Sequence, residues 1–168
     1  LASETAQAAA KGASFVVFTG GEPLHHNLDS LSKAIQIAIN SSTHTKIPVH
    51  IETSGVDPIS GQPSWITLSP KRHAPPRKDL LAICHELKVI VHEADDILFA
   101  EDMALSAIEA KKNPHIPQET YTNQHQNPIL FLQPGWNSVT GKNLAIEYVL
   151  NHPEWRLSLQ THKWLGVS

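Results

Sequence analysis

The 168-residue sequence holds a single cysteine, Cys84, and a single methionine. One thiol excludes an internal disulfide and cannot by itself hold an iron–sulfur cluster, which takes three or four thiolates. Free cysteine is among the most buried residue types, so Cys84 is expected in the core. Charge of one sign is lacking too: 13 Lys+Arg against 16 Asp+Glu leave a net −3, and aromatics make up 6%. That balance offers no basic stripe for nucleic acid. No apolar run approaches the ~20 residues that cross a bilayer. The opening Leu1-Ala2-Ser3-Glu4 has neither the charged start nor the apolar middle of a secretory leader. These absences predict a soluble cytoplasmic protein whose partners are neither nucleic acid nor membrane. An initiating methionine is also missing. The chain opens on what reads as the tail of a helix, Ala2 to Ala13, with no strand before it. A piece of something longer is the expectation.

What is present suffices for one core: 40% of the residues are hydrophobic, and at this length one domain over residues 1–168 is the default. Short β-branched runs alternate with helical patterns. Ser14–Phe18, Ile47–Ile51, Trp65–Leu68, Leu87–Val91, Ile129–Leu132 and Trp155–Leu159 read as strands. Leu28–Ile39, Asp79–Glu86, Asp95–Lys112 and Gly141–Asn151 read as helices, and the polar, proline-punctuated Pro114–Pro128 as a loop. Alternation of this kind predicts a parallel α/β sheet with right-handed connections.

The first of these strands runs into Thr19-Gly20-Gly21-Glu22-Pro23. Two glycines let a backbone approach a ligand closely, and ligands gather at the carboxyl edge of such sheets. Glu22 adds a negative charge and no Gly-Lys-Ser follows, so the turn suits an amino group better than a phosphate. A glycine pair after a strand more often makes a plain turn than a ligand seat, and four residues do not define a function.

Position strengthens the signal. Almost every strand ends in ligand-competent groups: Thr19 and Glu22, Glu52 and Ser54, Ser69 and Lys71, Gln133, Gln160 and His162. In a parallel barrel or part of one, these ends share a rim where active sites lie. Lys71 beside Ser69 suits a carboxylate as a point charge. Glu52, an acceptor-only group with two oxygens, suits a polar N–H edge. His162, expected on the final strand, suits donation to or stacking on a planar substrate. His25, His26, His44, His50, His73 and His115 show no metal-site spacing and are assigned to surface or packing.

Phe18-Thr19-Gly20-Gly21-Glu22-Pro23 resembles the Gly-Gly-Glu-Pro motif of radical S-adenosylmethionine enzymes. Together with Glu52-Thr53-Ser54-Gly55, Ser69-Pro70-Lys71, Glu86-Leu87-Lys88, Leu132-Gln133-Pro134 and Trp155 to Lys163, it resembles the 7-carboxy-7-deazaguanine synthase family over nearly the whole chain. The glycine motif marks only the superfamily; Leu-Ser-Leu-Gln-Thr-His-Lys at 157–163 narrows it. The resemblance implies one partial radical S-adenosylmethionine domain, an incomplete parallel βα barrel. The implied activity is that of a homodimeric lyase of queuosine biosynthesis. It contracts 6-carboxy-5,6,7,8-tetrahydropterin to 7-carboxy-7-deazaguanine with loss of ammonia, using an external electron donor. By motif, Gly20, Gly21, Glu22, Ser54, Ser69 and Lys71 would hold S-adenosylmethionine. Thr19, Glu52, Gln133, His162 and Ser168 would grip the pterin. The family's [4Fe–4S] cysteines and its Mg2+-contacting threonine precede the glycine motif and are not in this chain, so no catalytic residue is assigned and the 168 residues alone are expected to be inactive. Another radical enzyme of the activase type, or a binding module that keeps the pocket without the catalysis, are the alternatives.

Overall fold

Six strands pair in parallel in the order in which the chain makes them, β1(Val16–Phe18), β2(Val49–Thr53), β3(Trp65–Leu68), β4(Glu86–Val91), β5(Ile129–Pro134) and β6(Trp155–Leu157). The computed structural model describes residues 1–43, 46–112 and 127–166. The expected loop at 114–128 falls mostly outside these residues, as do Ser168, His44 and His115. Among the described residues strand order never reverses, so the sheet has no switch point of the doubly wound kind. With each strand added beside the last, the twisted sheet bends one way, as in an arc of a βα barrel.

The helices are α1(Ala2–Ala10), α2(Asp29–Thr43), α3(Lys78–Ile83), α4(Ala94–Lys111), α5(Val139–Asn151) and α6(Thr161–Leu165). The alternating burial of the strands decides where these helices lie. In β2, Val49, Ile51 and Thr53 are buried while His50 and Glu52 are half-covered; in β4, Leu87, Val89 and Val91 are buried while Glu86, Lys88 and Ile90 are half-covered. Of these, Ile51, Leu87, Val89 and Val91 join Leu80, Met103, Ala107, Leu132, Ala145 and others in the main core. A smaller cluster packs Ile35 and Ile39 of α2 on Ala9 and Ile47. The opposite sheet face keeps the polar residues. Across its amino-terminal end runs a row of rings, Phe15, His50, Trp65 and His85, with successive centroids 4.7, 6.0 and 4.7 Å apart. The packing role expected of His50 is found there, and burial pushes its imidazole below the usual value against the pull of Glu86. Cys84 is fully buried, as expected, and burial raises its thiol to about 12.

Several bounds differ from expectation for local reasons. Glu52 and Gln133 lie inside β2 and β5, because pairing continues to Thr53↔Leu68 and Val91↔Pro134. The helix expected to reach Glu86 stops at Ile83, where Cys84 turns extended (φ −66°, ψ 142°) and the chain enters β4. The β2–β3 crossover has no helix at all. The last strand ends at Leu157, so His162 sits on α6 and not on a strand, and its side chain is exposed.

Candidate functional site

The carboxyl ends of the strands form one edge, and the turn after β1 is built on it. Gly20 and Gly21 have φ of +86° and +57°, in the region L side chains rarely adopt, yet a Cβ at either position would meet nothing within 4 Å. Conformation demands glycine here, not crowding, and the backbone lies open. Glu22 follows in extended geometry and caps the short 3-10 turn Pro23–His25, accepting the Leu24 N–H at 3.2 Å. Its carboxylate also reaches the end of β2. Oε1 accepts the Thr53 hydroxyl at 2.5 Å, while Oε2 accepts the Ser54 amide at 2.7 Å and the Ser54 hydroxyl. Burial opposes ionisation, but these bonds outweigh it and hold Glu22 below the usual glutamate value. A carboxylate has about four acceptor sites, and the chain itself fills them.

The end of β3 bends over the same edge. Ser69 is buried, donating its amide to Thr53 O at 2.7 Å and accepting from Lys71 Nζ at 3.1 Å. Burial lowers the Lys71 ammonium below the usual lysine value; Glu52 counters this, Lys88 adds to it, and Glu22 counters it again. Lys71 therefore senses three charged groups from β2, β4 and the β1 turn. The next residue pins the loop. The Arg72 guanidinium donates to Glu93 at 2.6 Å, Asp96 at 3.3 Å and Asp95 at 3.4 Å, at the start of α4. Asp96 in turn accepts the His92 and Glu93 amides at 2.8 and 3.1 Å, and these bonds with Arg72 hold it below the usual aspartate value in spite of burial.

Glu52 stands on the open face, where Lys88 Nζ lies 2.6 Å from its Oε1. A groove of ≈ 430 Å³ runs there, with Trp65, His50, Glu52, Glu86 and Lys88 in its lining. Gln133 is buried on β5 and accepts the Ser158 hydroxyl at 3.2 Å. Beyond it, Pro134, Gly135, Trp136, Lys142 and Gln160 line a second cavity of ≈ 250 Å³ at the ends of β5 and β6, with the Lys163 ammonium 5.1 Å over the Trp136 ring. The structure thus joins Glu22 to Ser54, Ser69 to Lys71, and places Glu52 and Lys88 within electrostatic reach of Lys71. Thr19 and His162 are exposed and, among the described residues, take no part in these bonds.

Two residues escaped the sequence reading. Thr53, the second support of Glu22, gave no signal beyond a hydroxyl at a strand end. Lys88 did give one: Glu86 and Lys88 alternate with apolar residues in β4, which marks a face turned from the helices.

An unreversed parallel sheet that carries a glycine–carboxylate turn after its first strand and polar groups along one edge defines a partial βα barrel of the radical S-adenosylmethionine type. No protein-family model matches the chain. It is 54% identical, over 99% of its length, to the 7-carboxy-7-deazaguanine synthase of Prochlorococcus marinus, of which it covers 74%. It is 40% identical to that of Synechocystis sp. over 96% of its length, covering 66% of that relative. The crystal structure of QueE from Escherichia coli superposes with a TM-score of 0.61 at 26% identity, over 94% of this chain and 63% of that one. The chain belongs to the 7-carboxy-7-deazaguanine synthase family. It spans about two thirds to three quarters of the length of these relatives.

Proposed function

We propose that these residues form the S-adenosylmethionine seat and the pterin-binding edge of a 7-carboxy-7-deazaguanine synthase, which contracts 6-carboxy-5,6,7,8-tetrahydropterin to 7-carboxy-7-deazaguanine and releases ammonia. The observation that carries this is the Glu22 clamp, which fixes the open Gly20–Gly21 backbone against Ser54 while Lys71 and Glu52 face the same edge. With Glu22 saturated, the bare glycine backbone is left to receive the ammonium of the methionine moiety. Ser54, Ser69 and Lys71 stand beside it for the hydroxyl and carboxylate groups of the cofactor. Bound S-adenosylmethionine supplies the hydrogen-abstracting chemistry of the superfamily. Glu52 accepts from the pterin's N–H edge, and Thr19, Gln133, His162 and Ser168 complete the grip.

The cluster does not fit this chain's own residues. Its one thiol is buried in the core, and among the described residues no group of three His, Cys, Asp or Glu could hold a metal. Thiolates for a [4Fe–4S] cluster, and the ligand for Mg2+, belong outside these 168 residues, and the chain by itself does not reduce S-adenosylmethionine. The homodimer, the external electron donor, the cytoplasmic setting and the lyase class implied by the resemblance belong to the same reading.

Calorimetric titration of the full-length protein tests it. Glu52→Gln is expected to weaken 6-carboxy-5,6,7,8-tetrahydropterin by about 1–3 kcal/mol, the scale of a charge-assisted hydrogen bond, and to leave S-adenosylmethionine binding intact. An unaltered pterin affinity removes Glu52 from the site. His162→Ala should raise the pterin's dissociation constant as well, and an unchanged value returns His162 to the surface role its exposure suggests.

A further inference from the structure

Lys88, on the open face, is a cation to which the family resemblance gives no task. Lys88 lies on β4, two strands from Glu52, and one residue beyond the Leu68↔Leu87 pairing, which sets it beside Ser69. Neighbouring strands run about 4.8 Å apart, so roots on β2 and β4 stand roughly 10 Å apart and meet only by reaching across β3. Here they do, at 2.6 Å, with the lysine side chain 14% and the glutamate 36% exposed. The rival acid on the same strand is occupied: Glu86 takes the Thr67 hydroxyl at 2.9 Å beneath the bridge. The rival cation is occupied as well, since Lys71 rests on Ser69. Among the described residues the one ion pair of Glu52 is with Lys88, through Oε1.

We propose that Lys88 is a positioning residue for substrate: by holding Oε1 across β3 it fixes the Glu52 carboxylate so that Oε2 stays presented to the N–H edge of a flat, polar heterocycle. This rests on the reading that Glu52 binds the pterin. Glu52 ends a long, flexible stem on an open face. Without Lys88 the cation left in electrostatic reach is Lys71, and the carboxylate turns toward it and away from the groove. A charge on a stem long enough to span a strand is what the geometry requires, which arginine provides and methionine does not.

The test is a double-mutant cycle on the full-length protein, titrated anaerobically with 6-carboxy-5,6,7,8-tetrahydropterin and separately with S-adenosylmethionine. Lys88→Met and Glu52→Gln are each expected to raise the pterin's Kd about tenfold, and the pair together about tenfold instead of a hundredfold, because residues acting as one unit are not additive. Lys88→Arg should return the pterin's Kd to within about threefold of the parent, since a guanidinium also bridges to carboxylate. S-adenosylmethionine should bind all the variants alike. A hundredfold loss in the double variant overturns the proposal by making the two residues independent. So does an unchanged Kd in Lys88→Met while Glu52→Gln still weakens binding, which leaves the Glu52 reading standing. No effect of Glu52→Gln overturns both. Should Lys88→Met fail to fold, Lys88→Gln, which keeps a donor of shorter reach and no charge, is measured in its place with the same expected tenfold rise.

Discussion

Replacing Glu22 by glutamine changes one oxygen to an amide nitrogen and tests whether the acid is a clamp. In the native protein its two oxygens take four donors: the Leu24 and Ser54 amides and the Thr53 and Ser54 hydroxyls. A glutamine oxygen placed toward Thr53 and Leu24 keeps that half, but its NH2 then confronts the Ser54 N–H, donor against donor. The Ser54 hydroxyl can rotate to accept; the amide cannot. One unsatisfied backbone amide costs about 1–3 kcal/mol and loss of charge assistance adds to it, for about 2–4 kcal/mol in all. For a domain of this size that is roughly 5–15 °C in melting temperature. The acid dependence has a definite sign. The folded value of Glu22 lies below 4.5, so its contribution is fully present above that pH and is lost as pH falls through the depressed folded value. Melting followed by circular dichroism should therefore show a wide gap between parent and variant at neutrality that closes as pH falls through the depressed folded value. Equal melting temperatures at pH 7, or a gap that persists undiminished in acid, refutes the clamp.

Other positions give independent checks. Gly55 has φ +83° and a Cβ there would lie 2.5 Å from Leu68 Cδ1; Gly55→Ala should cost about 2–4 kcal/mol in urea denaturation, from left-handed strain and overpacking together. Gly141→Ala should be worse, because its Cβ would stand 2.0 Å from the Val91 carbonyl oxygen and backbone cannot yield as a side chain can; recovery of normal stability would mean α5 is not seated on β4. Glu101 Oε1 accepts both the Tyr148 hydroxyl at 2.5 Å and the Trp155 indole N–H at 2.8 Å, so Glu101→Ala should destabilise by about 2–4 kcal/mol, leaving a buried donor unpaired, and should alter tryptophan fluorescence. Burial, then the Glu101 hydrogen bond and charge, hold Tyr148 above the usual tyrosine range; in a spectrophotometric alkaline titration Tyr148→Phe should remove the late step, and loss of an early step instead contradicts the network.

How much of this the sequence disclosed depends on the range over which each feature is decided. The strands were legible because β-branched runs bounded by turn residues are local, and the sequential sheet because alternating elements admit few right-handed arrangements. The resemblance that named the glycine turn is carried by residues adjacent in sequence. What escaped was decided by register and reach. Glu52 and Gln133 read as groups at the ends of their strands, whereas pairing carries both strands through them, which only the neighbouring strand dictates. His162 read as a strand end because Leu159 continues an apolar run, whereas pairing with β5 ceases at Leu157 and leaves the chain free to turn into α6. Glu22 read as a charge for a ligand, since nothing in Gly-Gly-Glu-Pro reveals that Thr53 and Ser54, more than thirty residues on, fill its acceptors. The Lys88–Glu52 bridge is the extreme case, for it joins residues 36 apart in sequence on strands that are not even neighbours. Motifs therefore located the edge of the sheet, and only the register between strands could say which of its charges are spent inside the fold and which are left to face a substrate.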